Sequence, residues 1–273
     1  MLREIVACKR DEVNDRKSSS HKLNLQRIIA DTPFAVGFAK ALHGTQGECP
    51  RLIAEVKKQS PSGGVLRDPF DPLAIANAYK SAGASALSVL TDQRYFHGSL
   101  DIMATVGKAV ALPVLNKEFM VDEIQFYEAR AYRADAVLLI VAILERSQLI
   151  EYSHLAQELG LDVLVEIHTE GELAIATDAM PDIQLLGINN RDLTTLTTDL
   201  ATTFRLVNCI SSELRNNMTI VSESGISSRI DVERLAEVGI HAMLVGEALL
   251  KAQNISRKVS ELLDASLSSP ITS

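Results

Sequence analysis

The chain has 273 residues, 47% hydrophobic and 23% charged, which is an ordinary globular composition in a chain long enough to bury a large core. Its net charge of −8 disfavours general nucleic-acid binding, which needs a basic face, and no apolar run approaches membrane-spanning length. The charged N-terminus lacks a signal-peptide pattern, and the three cysteines lack metal-ligand spacing. We therefore expect a cytoplasmic protein with reduced thiols that binds neither nucleic acid nor membrane.

The first fifty residues are expected to form a helical extension packed against the main body. Leu2, Ile5, Val6 and Val13 fit one side of a first helix. The stretch SSSHKLN is expected to break that pattern, and TPFAVGFAKALHG predicts a second short helix ending at Gly44.

From Leu52 onward, short aliphatic runs alternate with helical stretches. The runs are LIAEVK, ALSVL, PVLN, AVLLIV, DVLVEI, LLGIN, TIVSE and AMLVG. Continuously apolar runs suit parallel strands covered on both faces, and about eight βα units favour an α/β fold of the (β/α)8 barrel type. A doubly wound open sheet is the alternative, because periodicity alone does not separate the two layouts. We expect a single domain over 1–273, with the barrel at 51–265 and a frayed tail at 266–273.

Ionisable and amide side chains gather where these runs end. They are Glu55 and Lys57 on the first run, Asn116, Lys117 and Glu118 on the third, Glu166 and His168 on the fifth, Asn189, Asn190 and Arg191 on the sixth, and Ser222, Glu223 and Ser224 on the seventh. The carboxyl ends of parallel barrel strands converge on one mouth, so the pattern predicts an active site there. The alternative is that strand ends are simply where the polar surface begins. This would explain one or two of these positions, but not so many.

Glycines follow the first, seventh and eighth runs, in SPSGG, at Gly225 and at Gly246. Barrel enzymes often bind phosphate with backbone N–H groups of the last two loops, so these turns predict an anion site. Glu247 is an awkward neighbour for an anion. The remaining histidines show no ligand spacing, so a metal site is not expected, while His168 is either a base or a structural hydrogen-bonding residue.

Seven ordered motifs resemble the indole-3-glycerol phosphate synthase family over nearly the whole chain. They are IAEVKKQSPSGG, LTDQRYFHGS, PVLNKEF, VLVEIH, GINNRDL, VSESGI and LVGEAL. The resemblance implies a single-domain barrel with a helical N-terminal extension. It also implies cofactor-free conversion of 1-(2-carboxyphenylamino)-1-deoxyribulose 5-phosphate to indole-3-glycerol phosphate, carbon dioxide and water.

The resemblance also implies roles for individual residues. Lys117 would be the general acid for ring closure, and Glu166 would be the base, or its partner, in the later proton transfers. Lys57 would bind the substrate carboxylate and assist dehydration, and Glu55 would orient these amines. Asn189, Glu223, Arg191 and Ser224 would position the substrate, Ser60, Gly225 and Gly246 would contact phosphate, and Phe96 and Phe119 would contact the anthranilate ring. Asn116, Glu118 and Glu247 depart from residues expected of the family.

Two other functions would leave different residues at the strand ends. A phosphate-binding isomerase barrel would be expected to use a carboxylic acid or thiol pair, whereas these strand ends offer lysines. A non-catalytic barrel would have little reason to keep Lys57, Lys117 and Glu166 together. We expect a phosphorylated small-molecule substrate and a monomer or weak homo-oligomer.

Overall fold

The computed structural model describes residues 1–44, 47–61, 63–192 and 195–264, so the tail expected to be frayed lies outside the described residues. Eight parallel strands close into a barrel in which each strand pairs with the next and the last pairs with the first. They are β1 (Arg51–Val56), β2 (Ala86–Leu90), β3 (Val114–Lys117), β4 (Ala136–Ile140), β5 (Asp162–Ile167), β6 (Leu185–Asn189), β7 (Thr219–Glu223) and β8 (Ala242–Val245). The closed barrel is confirmed, and the open sheet is wrong.

Helices surround this barrel and precede it. They are α1 (Leu2–Arg16), α2 (Ser19–Ala30), α3 (Phe38–Leu42), α4 (Pro72–Ser81), α5 (Gln93–Phe96), α6 (Leu100–Ala109), α7 (Ile124–Ala131), α8 (Arg146–Glu158), α9 (Glu170–Ala179), α10 (Ala201–Cys209), α11 (Ser212–Asn217), α12 (Arg229–Glu237), α13 (Glu247–Leu250) and α14 (Ile255–Leu263). A short antiparallel pair, Gln59–Ser60 with Gly64–Val65, lies in the loop after β1. Within the described ranges, no helix combines the length and apolar character needed to cross a bilayer.

The N-terminal extension is helical as expected, but its internal boundaries differ. α1 ends at Arg16, so the first helix stops just before the SSSHKLN stretch as expected. The stretch itself is mostly helical, because Ser18 is the N-cap of α2 and its Oγ accepts a hydrogen bond from the N–H of His21 at 3.1 Å. Serine favours this N-cap position because its hydroxyl satisfies an otherwise unpaired helical N–H. The helix predicted over TPFAVGFAKALHG is reduced to the five residues of α3.

The last part of the extension closes the floor of the barrel. Phe38 and Leu42 are fully buried and pack on interior side chains of the strands. The N–H groups of Val36 and Ala39 donate to carboxylates at the amino ends of β4 and β5, Asp135 and Asp162, each at 2.8 Å. The extension therefore supplies part of the barrel's own core.

Strand alternation decides which side chains reach the mouth. One interior layer of the barrel is apolar, and the residues two positions further along the same strands share its inward face. The apolar layer includes Ile53, Leu115, Leu164, Leu185 and Val221, and the positions two residues on are Glu55, Lys117, Glu166, Gly187 and Glu223. Because side chains alternate along a strand, the charged residues point into the barrel directly above this apolar layer, which forms the floor of the mouth.

Candidate active site

A cavity of about 500 Å³ opens at the carboxyl ends of the strands. Every residue to which the family resemblance gives a role lines it, namely Glu55, Lys57, Ser60, Phe96, Lys117, Phe119, Glu166, Asn189, Arg191, Glu223, Ser224, Gly225 and Gly246. Of the other polar residues at the strand ends, Asn116, His168, Asn190 and Ser222 do not line it. Leu138 and Ile140 add an apolar lining, and Met1, Leu2 and Ile5 of the extension add another; none of these five was predicted from the sequence to lie in the site. The mouth is therefore covered on one side by α1.

Lys117 stands at the centre of the charged layer between two carboxylates. Its Nζ lies 2.6 Å from Oε2 of Glu166 and 2.8 Å from Oε2 of Glu223. The lysine side chain keeps 14% of its exposure, against 2% for Glu166 and 1% for Glu223. The ammonium thus faces the cavity, and the carboxylates hold it from behind.

The three groups titrate away from their ordinary values. Burial lowers the pKa of Lys117, but the charges of Glu166 and Glu223 outweigh burial and raise it overall. Burial raises the pKa of Glu166, yet the Lys117 charge outweighs it and leaves that pKa lowered. For Glu223, burial dominates and raises the pKa to about 7, with Lys117 opposing and Glu166 adding to the rise. Glu166 and Glu223, which contact the same Lys117 ammonium, therefore differ in proton affinity.

Gly187, within β6, makes room for Glu223. A Cβ at this glycine would lie 2.2 Å from Oε1 of Glu223, closer than any real contact. That oxygen is buried and has no hydrogen-bond partner among the described residues. The glycine inside the LLGIN run is the sequence signal for this contact, since a glycine in the interior of a strand often marks a close approach.

The wall of the cavity formed by β1 carries the pair that ends this strand. Lys57 Nζ contacts Oε1 of Glu55, whose side chain is almost fully buried. Glycine at 246 is required by this packing, because a Cβ there would lie 2.3 Å from the same oxygen of Glu55. Gly246 therefore has a steric reason to be glycine in addition to any ligand contact.

Backbone turns and cations line the end of the cavity formed by the loops after β1, β6, β7 and β8. Ser224 and Gly225 both have a left-handed backbone conformation, with φ of 68° and 80°. Ser60 Oγ accepts a hydrogen bond from the N–H of Gly63 at 3.0 Å. Arg191 Nη2 lies 3.5 Å from Oε2 of Glu247, and Lys251 Nζ lies 2.6 Å from its Oε1. Glu247 thus faces two cations at this end. Ser62 lies outside the described residues.

Two aromatic rings define another part of the lining. The centroids of Phe96 and Phe119 are 6.3 Å apart, and the rings are inclined at 41°. This tilted spacing is favourable for paired rings and leaves apolar faces for a flat ligand.

Two polar residues near the mouth have structural contacts. His168 does not line the cavity; its Nδ1 lies 3.1 Å from Glu172, and its Nε2 lies 3.5 Å from Oε1 of Glu166. Burial lowers the pKa of His168, but Glu172 and Glu166 outweigh burial and raise it. Asn190 donates to Ser222 Oγ at 3.0 Å and accepts from Thr203 Oγ1 at 2.8 Å, so it ties β6 to β7 and α10.

Solved structures similar to this chain are barrels of low sequence identity. A variant of the tryptophan synthase alpha-subunit of Pyrococcus furiosus superposes with a TM-score of 0.59 at 15% identity, covering 81% of this chain and 99% of that one. The 3-hexulose-6-phosphate synthase of Salmonella typhimurium gives a TM-score of 0.59 at 14% identity, covering 78% and 98%. These likenesses support the fold alone.

Relatives in sequence are much closer. Indole-3-glycerol phosphate synthase of Desulforamulus reducens is 43% identical over 97% of this chain and 97% of its own length. The enzyme of the same name from Dehalococcoides mccartyi strain CBDB1 is 45% identical over 96% of this chain and its entire length. The sequence model of the indole-3-glycerol phosphate synthase family matches residues 2–262. The chain belongs to the indole-3-glycerol phosphate synthase family and has that family's lyase function in tryptophan biosynthesis.

Proposed function

We propose how the residues of the cavity divide the work of this reaction. The observation that carries the proposal is the Lys117 ammonium, which is held between Glu166 and Glu223 and faces a cavity that has paired aromatic rings and a cation-bearing turn region. The reaction converts 1-(2-carboxyphenylamino)-1-deoxyribulose 5-phosphate to indole-3-glycerol phosphate, carbon dioxide and water. It needs proton donors and acceptors in a partly dry pocket.

Ring closure is the step assigned to Lys117. The aromatic carbon that bears the carboxylate bonds to the ketone carbon, and the Lys117 ammonium gives its proton to the ketone oxygen. Because its two carboxylates raise the pKa of Lys117, the ketone oxygen has to replace one of them as a hydrogen-bond partner for the proton to move. Glu223 is the carboxylate more readily protonated, since its pKa is about 7 and that of Glu166 is lowered.

The later steps restore aromaticity. The bond to the carboxyl group breaks, its electron pair returns to the benzene ring, and carbon dioxide leaves. The new hydroxyl then departs as water with a proton from Lys57, while Glu166 removes the proton from the neighbouring carbon. Glu55 orients Lys57 through their contact.

Binding is assigned to the two ends of the cavity. Phe96 and Phe119 contact the anthranilate ring, and Lys57 pairs with its carboxylate before that group is lost. The backbone at Gly225 and Gly246, together with Ser60, contacts the phosphate. Asn189, Glu223, Arg191 and Ser224 position the hydroxyl-bearing chain between the two ends. Asn189 is itself fixed, since its Oδ1 accepts from the N–H of Arg191 at 3.0 Å.

The setting proposed for this activity is the cytoplasm, with the whole chain acting as a single domain and as a monomer or weak homo-oligomer. The cysteines Cys8, Cys49 and Cys209 are unpaired thiols, as in proteins of a reducing compartment. The extension contributes Met1, Leu2 and Ile5 to the lining of the cavity, which supports the extension and the barrel acting as one domain.

The test of these roles is turnover without added metal or cofactor, followed by indole fluorescence. The chain has no Trp, so its own background is low. Lys117→Ala is expected to lower kcat by about 10²- to 10⁴-fold while substrate affinity is retained. Lys258→Ala, which removes a lysine paired with Glu261 away from the cavity, serves as the control. Equal loss of kcat and affinity in Lys117→Ala would contradict the acid role.

A further inference from the structure

Lys9 of α1 is a buried lysine outside the charged layer described above. Only 2% of it is exposed, and its Nζ lies 2.8 Å from Glu12, 2.8 Å from Asp92 and 3.3 Å from Glu118. Glu12 belongs to the same helix, whereas Asp92 and Glu118 belong to the loops after β2 and β3. A buried ammonium requires such partners, so α1 is fastened to two barrel loops at one point.

Asp92 connects this point to one of the aromatic residues. Its Oδ1 accepts from the N–H of Tyr95 at 2.7 Å and from that of Phe96 at 3.3 Å, and so caps α5. Its other oxygen, Oδ2, faces Lys9. The backbone position of Phe96 is therefore linked to Lys9 through a single carboxylate.

Glu118 makes the same connection to the second aromatic residue. Its Oε1 accepts from the N–H of Phe119 at 2.8 Å, and its Oε2 faces Lys9 and accepts from Thr91 Oγ1 at 3.1 Å. Each carboxylate thus holds an aromatic residue's N–H with one oxygen and Lys9 with the other. The two rings that they hold are the pair at 6.3 Å in the cavity.

We propose that Lys9 is a positioning residue that keeps Phe96 and Phe119 at the spacing needed to bind the anthranilate ring. This inference rests on the roles proposed above for those two rings. The extension thereby controls one end of the site through a residue that does not line the cavity. The turns at Gly225 and Gly246 belong to the loops after β7 and β8, which take no part in these contacts. The loop after β1 does reach α5, because Gln59 Nε2 donates to the carbonyl of Tyr95 at 3.2 Å.

The test replaces Lys9 by methionine, which keeps the length of the side chain and removes its charge. Without the Lys9 ammonium between Asp92 and Glu118, the contacts of Phe96 and Phe119 with the anthranilate ring weaken. KM is then expected to rise about tenfold while kcat stays within about twofold. Affinity for indole-3-glycerol phosphate, read from its fluorescence, should fall by the same factor. Affinity for glycerol phosphate, which has no ring, should change far less.

Lys17→Met is the control, because Lys17 also joins the extension to a barrel residue, Asp122, at 2.6 Å, but neither Lys17 nor Asp122 lines the cavity. It should leave KM unchanged. Should Lys9→Met fail to fold, Asp92→Asn keeps the capping oxygen and turns an amide NH2 toward Lys9, so KM should again rise. Unchanged KM in these variants, or an equal rise in Lys17→Met, would overturn the inference. Absence of turnover in the wild-type chain would instead contradict the proposed function.

Discussion

Gly187→Ala adds one methyl group and tests whether the position of Glu223 controls catalysis. The new Cβ would lie 2.2 Å from Oε1 of Glu223, and ordinary contact begins at 3.4 Å, so the carboxylate has to retreat by about 1.2 Å. Leu164 Cδ1, at 3.3 Å from the same Cβ, limits the space on another side. The 2.8 Å contact between Lys117 and Glu223 is then lost.

The expected result is a fall in kcat of about 10²-fold, because a shift near 1 Å in a catalytic group has that order of effect. Overpacking should also lower the free energy of unfolding by about 1–3 kcal/mol. Both quantities follow from indole fluorescence and urea unfolding. Gly107→Ala is the control, since its Cβ would meet only ordinary contacts of 3.5 Å and beyond.

A double variant sharpens this test. Glu223→Asp shortens the side chain by one methylene and relieves the overlap with Ala at 187, so the two stability losses should be less than additive. Wild-type kcat in Gly187→Ala would refute the reasoning, as would strict additivity of the two changes.

Three further predictions follow from the same structure. The pKa of Glu223 rises from 4.5 to about 7 on folding. At pH values between these two, the folded protein keeps a proton on Glu223 that the unfolded chain has released. The contribution of this proton to the free energy of unfolding is present in full below pH 4.5 and is lost as the pH rises through 7. Urea unfolding at several pH values should show this decline, at most about 1.4 kcal/mol per pH unit, and Glu223→Gln should lack it; an identical slope would contradict the assignment. Glu247→Ser removes the carboxylate that faces Arg191 and Lys251, so KM should fall with kcat intact, and a large loss of kcat would disprove it. Phe38→Ala should cost about 3–5 kcal/mol of unfolding free energy because this ring fills the barrel floor, whereas Phe34→Ala, 96% exposed, should change the melting temperature little.

The strands and the catalytic layer could be predicted because they depend on local pattern. ALSVL, DVLVEI, LLGIN and TIVSE coincide with observed strands, and the two-residue alternation along each strand lifts its polar end into the mouth. The positions of α1 over the mouth and of α3 in the floor depend on contacts with residues that are far away along the chain. No local signal encodes such contacts, so Met1, Lys9 and Phe38 were not recognised as parts of the site or of the barrel core.

The seat of α3 has a consequence for synthesis on the ribosome. The N–H groups of Val36 and Ala39 bind carboxylates that lie 99 and 123 residues further along the chain. At a synthesis rate of roughly 5–20 residues per second, these two carboxylates are made roughly 5–25 s after Phe38 and Leu42. The α3 segment thus stays without these partners while the first strands of the barrel are made, and during that interval its apolar side chains are open to chaperones and to other nascent chains.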